Sequence, residues 1–386
     1  RRERQREVGQ CPQLRAHRGQ LLAPRLDEGA QVRTHRVAER SAQRIVRREN
    51  AHPLSLEARA GRRWPTLVPV SVTPDDVAAQ EHLPSIANLL ADTSRPTFSF
   101  EFFPPADVAG EDVLAQTILD LDATGADWLS VTYGASGATR DRTIRATRFI
   151  KRRTEAQTMG HLTCASQSRD ELLATLAAYA EADVRHVLAI RGDMPGGPTV
   201  PWQRHPDGLA NATELVRLIA GNFSFGIGVA AFPDPHPQQH DADLDARLLL
   251  AKQEAGASFA VTQLFFDGDA YLRLVERARA IGCTLPIVAG IQPVTNIAQI
   301  ERFAALSGAE LPTRVVRRLH AVAGDPAQVR RVGIEIATEL SADVLRGGAP
   351  GLQFFTLNRS RATSAILANL RRLGLDRRSP AAASDA

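Results

Sequence analysis

Eight short runs rich in β-branched and aromatic residues recur from Pro96 onward, nearly all separated by longer stretches whose apolar residues fall at helical spacing. No other feature limits the possible folds as strongly. The runs open at Thr97 (TFSFEFFP), Asp127 (DWLSVTYG), His161 (HLTCAS), Arg185 (RHVLAIRGD), Phe223 (FSFGIGVAAFP), Phe259 (FAVTQLFFD), Pro286 (PIVAGIQP) and Leu352 (LQFFTLNR). Helices are predicted at about 111–123, 140–155, 169–182, 211–220, 241–255 and 269–281, with Ser168 as an N-cap, and extra helices around 296–306, 312–321 and 325–345 precede the last run. Strand and helix alternating eight times over about 275 residues is the pattern of an α/β chain folded as a (β/α)8 TIM barrel. A doubly wound open sheet is the rival, but no GxGxxG follows the first run and no P-loop is present.

The ends of the chain read differently. Residues 1–75 lack sustained periodicity and are predicted to be a basic, disordered extension, 76–376 to be the barrel, and 377–386 a disordered tail. Residues 1–63 hold 16 Arg against 7 Asp plus Glu, so with a net charge of +4 overall the remainder is mildly acidic. A nucleic-acid or partner-binding arm is one reading of the extension, although its bases are diffuse and only Trp64 could stack. The first methionine is Met159, which favours reading the extension as upstream sequence in frame, with translation starting near Val68 to Val72.

Cys11, Cys164 and Cys283 are far apart and odd in number, which argues against a disulfide framework and fits a reducing, cytoplasmic compartment. No apolar run is long enough to span a bilayer.

Barrel enzymes carry their chemistry at the C-terminal ends of the strands. Those ends hold Glu101, Thr132-Tyr133-Gly134, Arg191-Gly192-Asp193, Gln263, Gln292 and Asn358-Arg359. Period-two alternation turns Phe98, Phe100 and Phe102 toward the helices and Ser99, Glu101 and Phe103 into the barrel. A carboxyl placed there has two readings: a proton donor whose pKa is raised by desolvation, or an interior ion pair with Arg191 or Arg359.

Other signals are weaker. Arg-Gly-Asp ends an apolar strand here, which disfavours an adhesion tripeptide. His236 and His240 in HPQQHD could be metal ligands on one helix face, but Pro237 and the missing glutamate of HExxH speak against zinc, and no metal is expected. His161, opening a short strand, reads as a packed histidine. A barrel lyase or aldolase would need a Schiff-base lysine, and neither Lys151 nor Lys252 lies in a proposed strand; a metal hydrolase would need clustered His and Asp ligands.

The ordered set SFEFFPP, SVTYGASG, HLTC, LAIRGD, VAAFPDPHP, VTQLFFD, AGIQPVTN and FFTLNR resembles the methylenetetrahydrofolate reductase family over about residues 97 to 373. The resemblance implies a bacterial-type, single-domain flavoenzyme that takes electrons from NADH or NADPH through FAD and reduces 5,10-methylenetetrahydrofolate to 5-methyltetrahydrofolate, by ping-pong transfer. It also implies a folate substrate; a homo-oligomer is expected, and the charge distribution and the lack of a long apolar run lead to no expectation of a nucleic-acid or membrane partner. By motif match, Glu101 is similar to the family's general acid and Asp193 to the aspartate beside flavin and pterin. Thr132, Tyr133, Gly134, Ala135, His161, Arg191, Gly192, Asp193, Ala212, His236, Asp245 and Lys252 fall on FAD-binding positions. Gln263, Tyr271, Gln299, Phe303 and Arg359 fall on substrate-binding ones. Phe232, where tyrosine is usual, and Leu248 and Ala251, in place of polar residues, depart from the bacterial pattern.

Overall fold

The alternation closes into a parallel barrel in the computed structural model, which describes residues 84–133 and 137–376. The predicted extension at 1–75 and tail at 377–386 lie outside the described residues. The strands are β1 (Thr97–Phe102), β2 (Trp128–Val131), β3 (Gln157–Thr163), β4 (His186–Ile190), β5 (Gly226–Ala231), β6 (Phe259–Thr262), β7 (Ile287–Ile291) and β8 (Gly351–Phe355). They pair in chain order, and β8 closes onto β1 with Thr97 opposite Gly351 and Glu101 opposite Phe355.

Side-chain alternation sorts the core into two layers. Phe98, Phe100 and Phe102 face outward and pack with Leu114 and Ile118 of α2 (Val108–Asp122), Phe100 also stacking on Phe354 at 6.0 Å. The inner layer is built from Trp128, Met159, Leu188, Phe259, Val261 and Val288. Ser99 and Glu101 share that inner face, as the period of two requires.

A short helix absent from the sequence expectation, α1 (Ile86–Ala91), joins the inner layer through Ile86 and Leu90. Its Ile86 amide donates to His186 Nε2 at 3.1 Å, and Gln157 Nε2 donates to Pro84 O at 3.0 Å. Because His186 and Gln157 lie at the N-terminal ends of β4 and β3, α1 sits at the end of the barrel opposite the catalytic rim. Six residues are too few for periodicity to register. Its local signal is Ser85, whose side chain accepts from the Asn88 amide.

The outer helices continue with α3 (Gly137–Arg153), α4 (Arg169–Glu181), α5 (Ala212–Asn222), α6 (Ala242–Glu254) and α7 (Gly268–Ala280). Ser168 caps α4 as expected, in a reciprocal capping box with Glu171. Strand β3 begins four residues before the expected His161, because Gly160 reads as a breaker in sequence. In the fold a Cβ there would stand 2.5 Å from the Tyr179 ring, so glycine is what lets Tyr179 pack against the strand and donate to His161 O at 2.8 Å.

Between β7 and β8 lie α8 (Ile297–Ser307), α9 (Thr313–His320) and α10 (Pro326–Arg346), and α11 (Arg361–Arg372) follows β8. The three extra helices form a satellite core of Val294, Ile300, Val315, Leu319, Val329 and Ile336 against Leu264 and Phe266, the residues that follow β6. No helix among the described residues is long and apolar enough to cross a membrane.

Candidate active site

Glu101 is the fifth residue of β1 and points into the barrel, 9% exposed. Its Oε2 accepts from Gln353 Nε2 at 2.9 Å and lies 3.6 Å from His161 Nε2. Burial pushes the Glu101 carboxyl up to about 8, a rise that the Gln353 hydrogen bond opposes. The same burial pushes His161 down to about 3. Near neutral pH the two groups therefore meet as an uncharged acid and an uncharged imidazole, and their proximity is not an ion pair. The interior ion pair with an arginine does not form either. Arg191 donates to Gln238 Oε1 at 2.8 Å and lies over the Trp202 ring at 5.0 Å, and Arg359 is exposed.

Sequence reasoning missed Gln353 and Trp128. Gln353 is fully buried, and its Oε1 accepts from Trp128 Nε1 at 3.2 Å. The available signal was an amide in the middle of the apolar run GLQFF, on the strand that must pair with β1 if the barrel closes.

A second group gathers around the ends of β4 and β5. Gly192 has φ +79°, and a Cβ on it would stand 2.6 Å from Thr163 Cβ, so glycine is required on both counts. Asp193 next to it is exposed. The His236 amide donates to Asp245 Oδ2 at 2.8 Å, and Lys252 Nζ donates to Ala230 O at 2.9 Å. Burial lowers the Lys252 ammonium to about 8 and raises the Asp245 carboxyl. His236 is lowered by burial and then by Arg191, which places the charges of Arg191, Asp245 and Lys252 within reach of one imidazole. Its ring meets Phe232 edge-on at 4.8 Å. His236 and His240 do not share a helix face: both precede α6, in a turn closed by His240 N donating to His236 O at 2.9 Å.

The remaining positions divide. The Thr132 amide continues the ladder by donating to Phe102 O, and Tyr133 is buried with its hydroxyl donating to Gln167 Oε1 at 2.8 Å. Gly134 and Ala135 lie outside the described residues. Ala212 opens α5 behind the Asn211 cap. Gln263 follows β6, and its Oε1 accepts from the Leu264 amide at 2.8 Å. Gln299 is exposed and Phe303 half-buried, one turn apart on α8.

Leu357 and Asn358 both take positive φ, 51° and 56°, before Arg359. The Asn358 amide brackets Phe103, accepting from its N–H and donating to its carbonyl, each at 2.9 Å, and so pins the loop leaving Glu101. Tyr271 is misplaced as a substrate contact. It is 2% exposed, stacks on Phe265 at 5.9 Å, and its hydroxyl donates at 2.7 Å to Ile287 O, at the N-terminal start of β7 and away from the rim.

A buried acid at the end of β1 and a basic corner beyond β4 and β5 can be set beside known proteins. A family model described as methylenetetrahydrofolate reductase matches residues 86–371. The chain belongs to the methylenetetrahydrofolate reductase family. It is 38% identical over 274 residues to the 5,10-methylenetetrahydrofolate reductase of Pectobacterium carotovorum, covering 70% of this chain and 89% of that protein. With the reductase of Escherichia coli it shares 36% identity over 268 residues, 69% of this chain and 88% of that one. A maize relative, named methylenetetrahydrofolate reductase (NADH) 1, is 33% identical over 291 residues, covering 72% of this chain and 49% of its own length. Membership in the methylenetetrahydrofolate reductase family makes the chain an oxidoreductase. Among solved structures, a Clostridium thermocellum protein described as binding two copies of 5-methyl-5,6,7,8-tetrahydrofolic acid has the same fold, with TM-score 0.51 at 12% identity, covering 74% of this chain and 98% of that one.

Proposed function

We propose that the chain reduces 5,10-methylenetetrahydrofolate to 5-methyltetrahydrofolate with electrons from NAD(P)H and FAD as its bound cofactor, providing methyl groups for methionine. The observation that carries this reading is Glu101, a carboxyl buried inside the barrel at the end of β1 with Gln353 as its hydrogen-bond donor, which burial raises to about 8. Its proton passes to a nitrogen of the imidazolidine ring. The adjacent C–N bond then breaks and leaves an iminium cation able to accept hydride. Asp193 supplies a negative charge that favours this cation.

The residues present fit a flavin dinucleotide. Arg191 and Lys252 supply positive charge suited to a pyrophosphate, His236 adds an imidazole whose pKa burial lowers, and Gly192 holds the turn after Arg191 at positive φ against Thr163. Thr132, Tyr133, Gly134, Ala135, His161, Asp193, Ala212 and Asp245 complete the proposed set. When bound, the flavin supplies hydride transfer between nicotinamide and folate in alternation. Gln263, Gln299, Phe303 and Arg359 are the proposed folate contacts, and Tyr271 is left out because it lies in the core. The name of the maize relative favours NADH as donor.

The test is an absorbance spectrum of the purified chain, repeated without oxygen after NADH or NADPH and then after folate. Flavin bands that bleach with nucleotide and return with methylenetetrahydrofolate support the reading. A chain that neither carries nor takes up FAD refutes it.

A further inference from the structure

Trp128, Gln353 and Glu101 come from β2, β8 and β1 and form one chain of hydrogen bonds across the inner face of the barrel. An indole nitrogen can only donate, so the atom of Gln353 that Trp128 meets at 3.2 Å must be the carboxamide oxygen. That contact fixes the orientation of the amide. The NH2 group is thereby turned toward Glu101 and donates to Oε2 at 2.9 Å. An oxygen that accepts this bond is the carbonyl-type oxygen of a neutral carboxyl, and the acidic hydrogen belongs on the other one.

We propose that Trp128 and Gln353 are positioning residues that keep the Glu101 proton on Oε1 by locking an amide donor onto Oε2. The inference rests on the reading of Glu101 as proton donor and adds how the proton is held at one atom. Gln353 also limits how strongly the acid holds that proton. Its N–H stabilises the carboxylate and opposes the rise caused by burial. His161 on β3 is the titratable group facing Glu101, and its imidazole is held uncharged by burial. From β2 the register neighbour is Ser130, and from β8 it is Phe355, neither of which titrates near neutral pH. Burial and Gln353 are the causes of the Glu101 shift, with no charged side chain among them.

The lock predicts a particular coupling. Removing Trp128 frees the amide to rotate and offer its oxygen to Glu101, which favours the protonated acid although Trp128 does not touch it. Removing Gln353 abolishes the donor outright, after which Trp128 has nothing left to orient.

The experiment titrates the Glu101 carboxyl in the full chain by infrared difference spectroscopy, with Glu101→Gln as the blank. The variants are Trp128→Phe, Gln353→Leu and the two combined. Gln353→Leu is expected to move the midpoint upward by about one to two pH units, a ten- to hundredfold weaker acid, the usual range for losing a hydrogen bond to a charged group. Trp128→Phe is expected to move it in the same direction, and the combined variant no further than Gln353→Leu alone. A midpoint unmoved by Trp128→Phe, or shifts that add in the combined variant, would overturn the proposal. If Gln353→Leu does not fold, Trp128→Phe decides alone, since it leaves Gln353 and Glu101 in place. The midpoints are read without folate turnover, so a failure of the lock and a failure of the reductase reading are separable.

Discussion

Replacing Glu101 by glutamine keeps the shape of the buried side chain and removes its ability to ionise, which turns its raised pKa into a measurable slope of stability against pH. The carboxyl is pushed from 4.5 to about 8 by burial in the native barrel. Between those values the unfolded chain has released the proton and the native chain has kept it, so the wild-type protein loses stability as pH rises and the loss is complete once the native carboxyl ionises. At no more than about 1.4 kcal/mol per pH unit the wild type gives up roughly 3 kcal/mol between pH 4.5 and 7, and roughly 4 kcal/mol by pH 8, where the native carboxyl is half ionised.

His161 and His186, lowered by burial to about 3 and about 4, act in the opposite sense. Their contribution is present above the unfolded histidine value of 6.5 and lost as pH falls toward the native ones. Both histidines remain in Glu101→Gln, so the difference between wild type and variant isolates the carboxyl. The assay is urea unfolding across this pH range, followed by circular dichroism and tryptophan fluorescence with coincident transitions. The variant is expected to gain on the wild type steadily as pH rises. A difference that stays constant with pH would refute the raised pKa and, with it, the case for a neutral proton donor.

Glu101→Gln is further expected to keep reduction by NAD(P)H while folate reduction falls at least about a hundredfold, the typical contribution of a positioned acid. In the wild type the folate step should decline above about pH 8 as Glu101 ionises, and stopped-flow traces of the two half-reactions check both statements. Lys252→Met removes the buried ammonium that donates to Ala230 O and should weaken FAD retention about tenfold or more, measured by flavin fluorescence on dilution. Phe100→Ala, which empties a fully buried site stacked on Phe354, should cost about 3–5 kcal/mol by urea unfolding with no change in the pH dependence of the folate step.

Much of the architecture is written locally. Alternation along TFSFEF places Phe98, Phe100 and Phe102 on one face and Glu101 on the other because successive side chains of a strand point in opposite directions, and nothing distant is needed to see it. The Ser168 cap is equally local, since its partners lie within one turn. The helices of the β7–β8 interval were legible for the same reason.

Other features depend on residues far apart in the chain. Gln353 reaches Glu101 only because β8 closes the barrel against β1, across 252 positions of sequence, and no periodicity encodes which interior amide will meet which acid. Tyr271 shows the converse: a polar aromatic carried over by motif match proves to be core, since its hydroxyl finds the Ile287 carbonyl behind β7. The six residues of α1 form a helix because the apolar end of the barrel and the His186 nitrogen are there to receive Ile86, a partner supplied from 100 positions away. Sequence by itself determined the order of strands and helices and the inward aim of Glu101, because both follow from backbone geometry over a few residues. The tertiary structure decided the protonation of Glu101, the orientation of the amide beside it and the convergence of Arg191, His236, Asp245 and Lys252, because desolvation and hydrogen-bond partners exist only once separate strands share one interior.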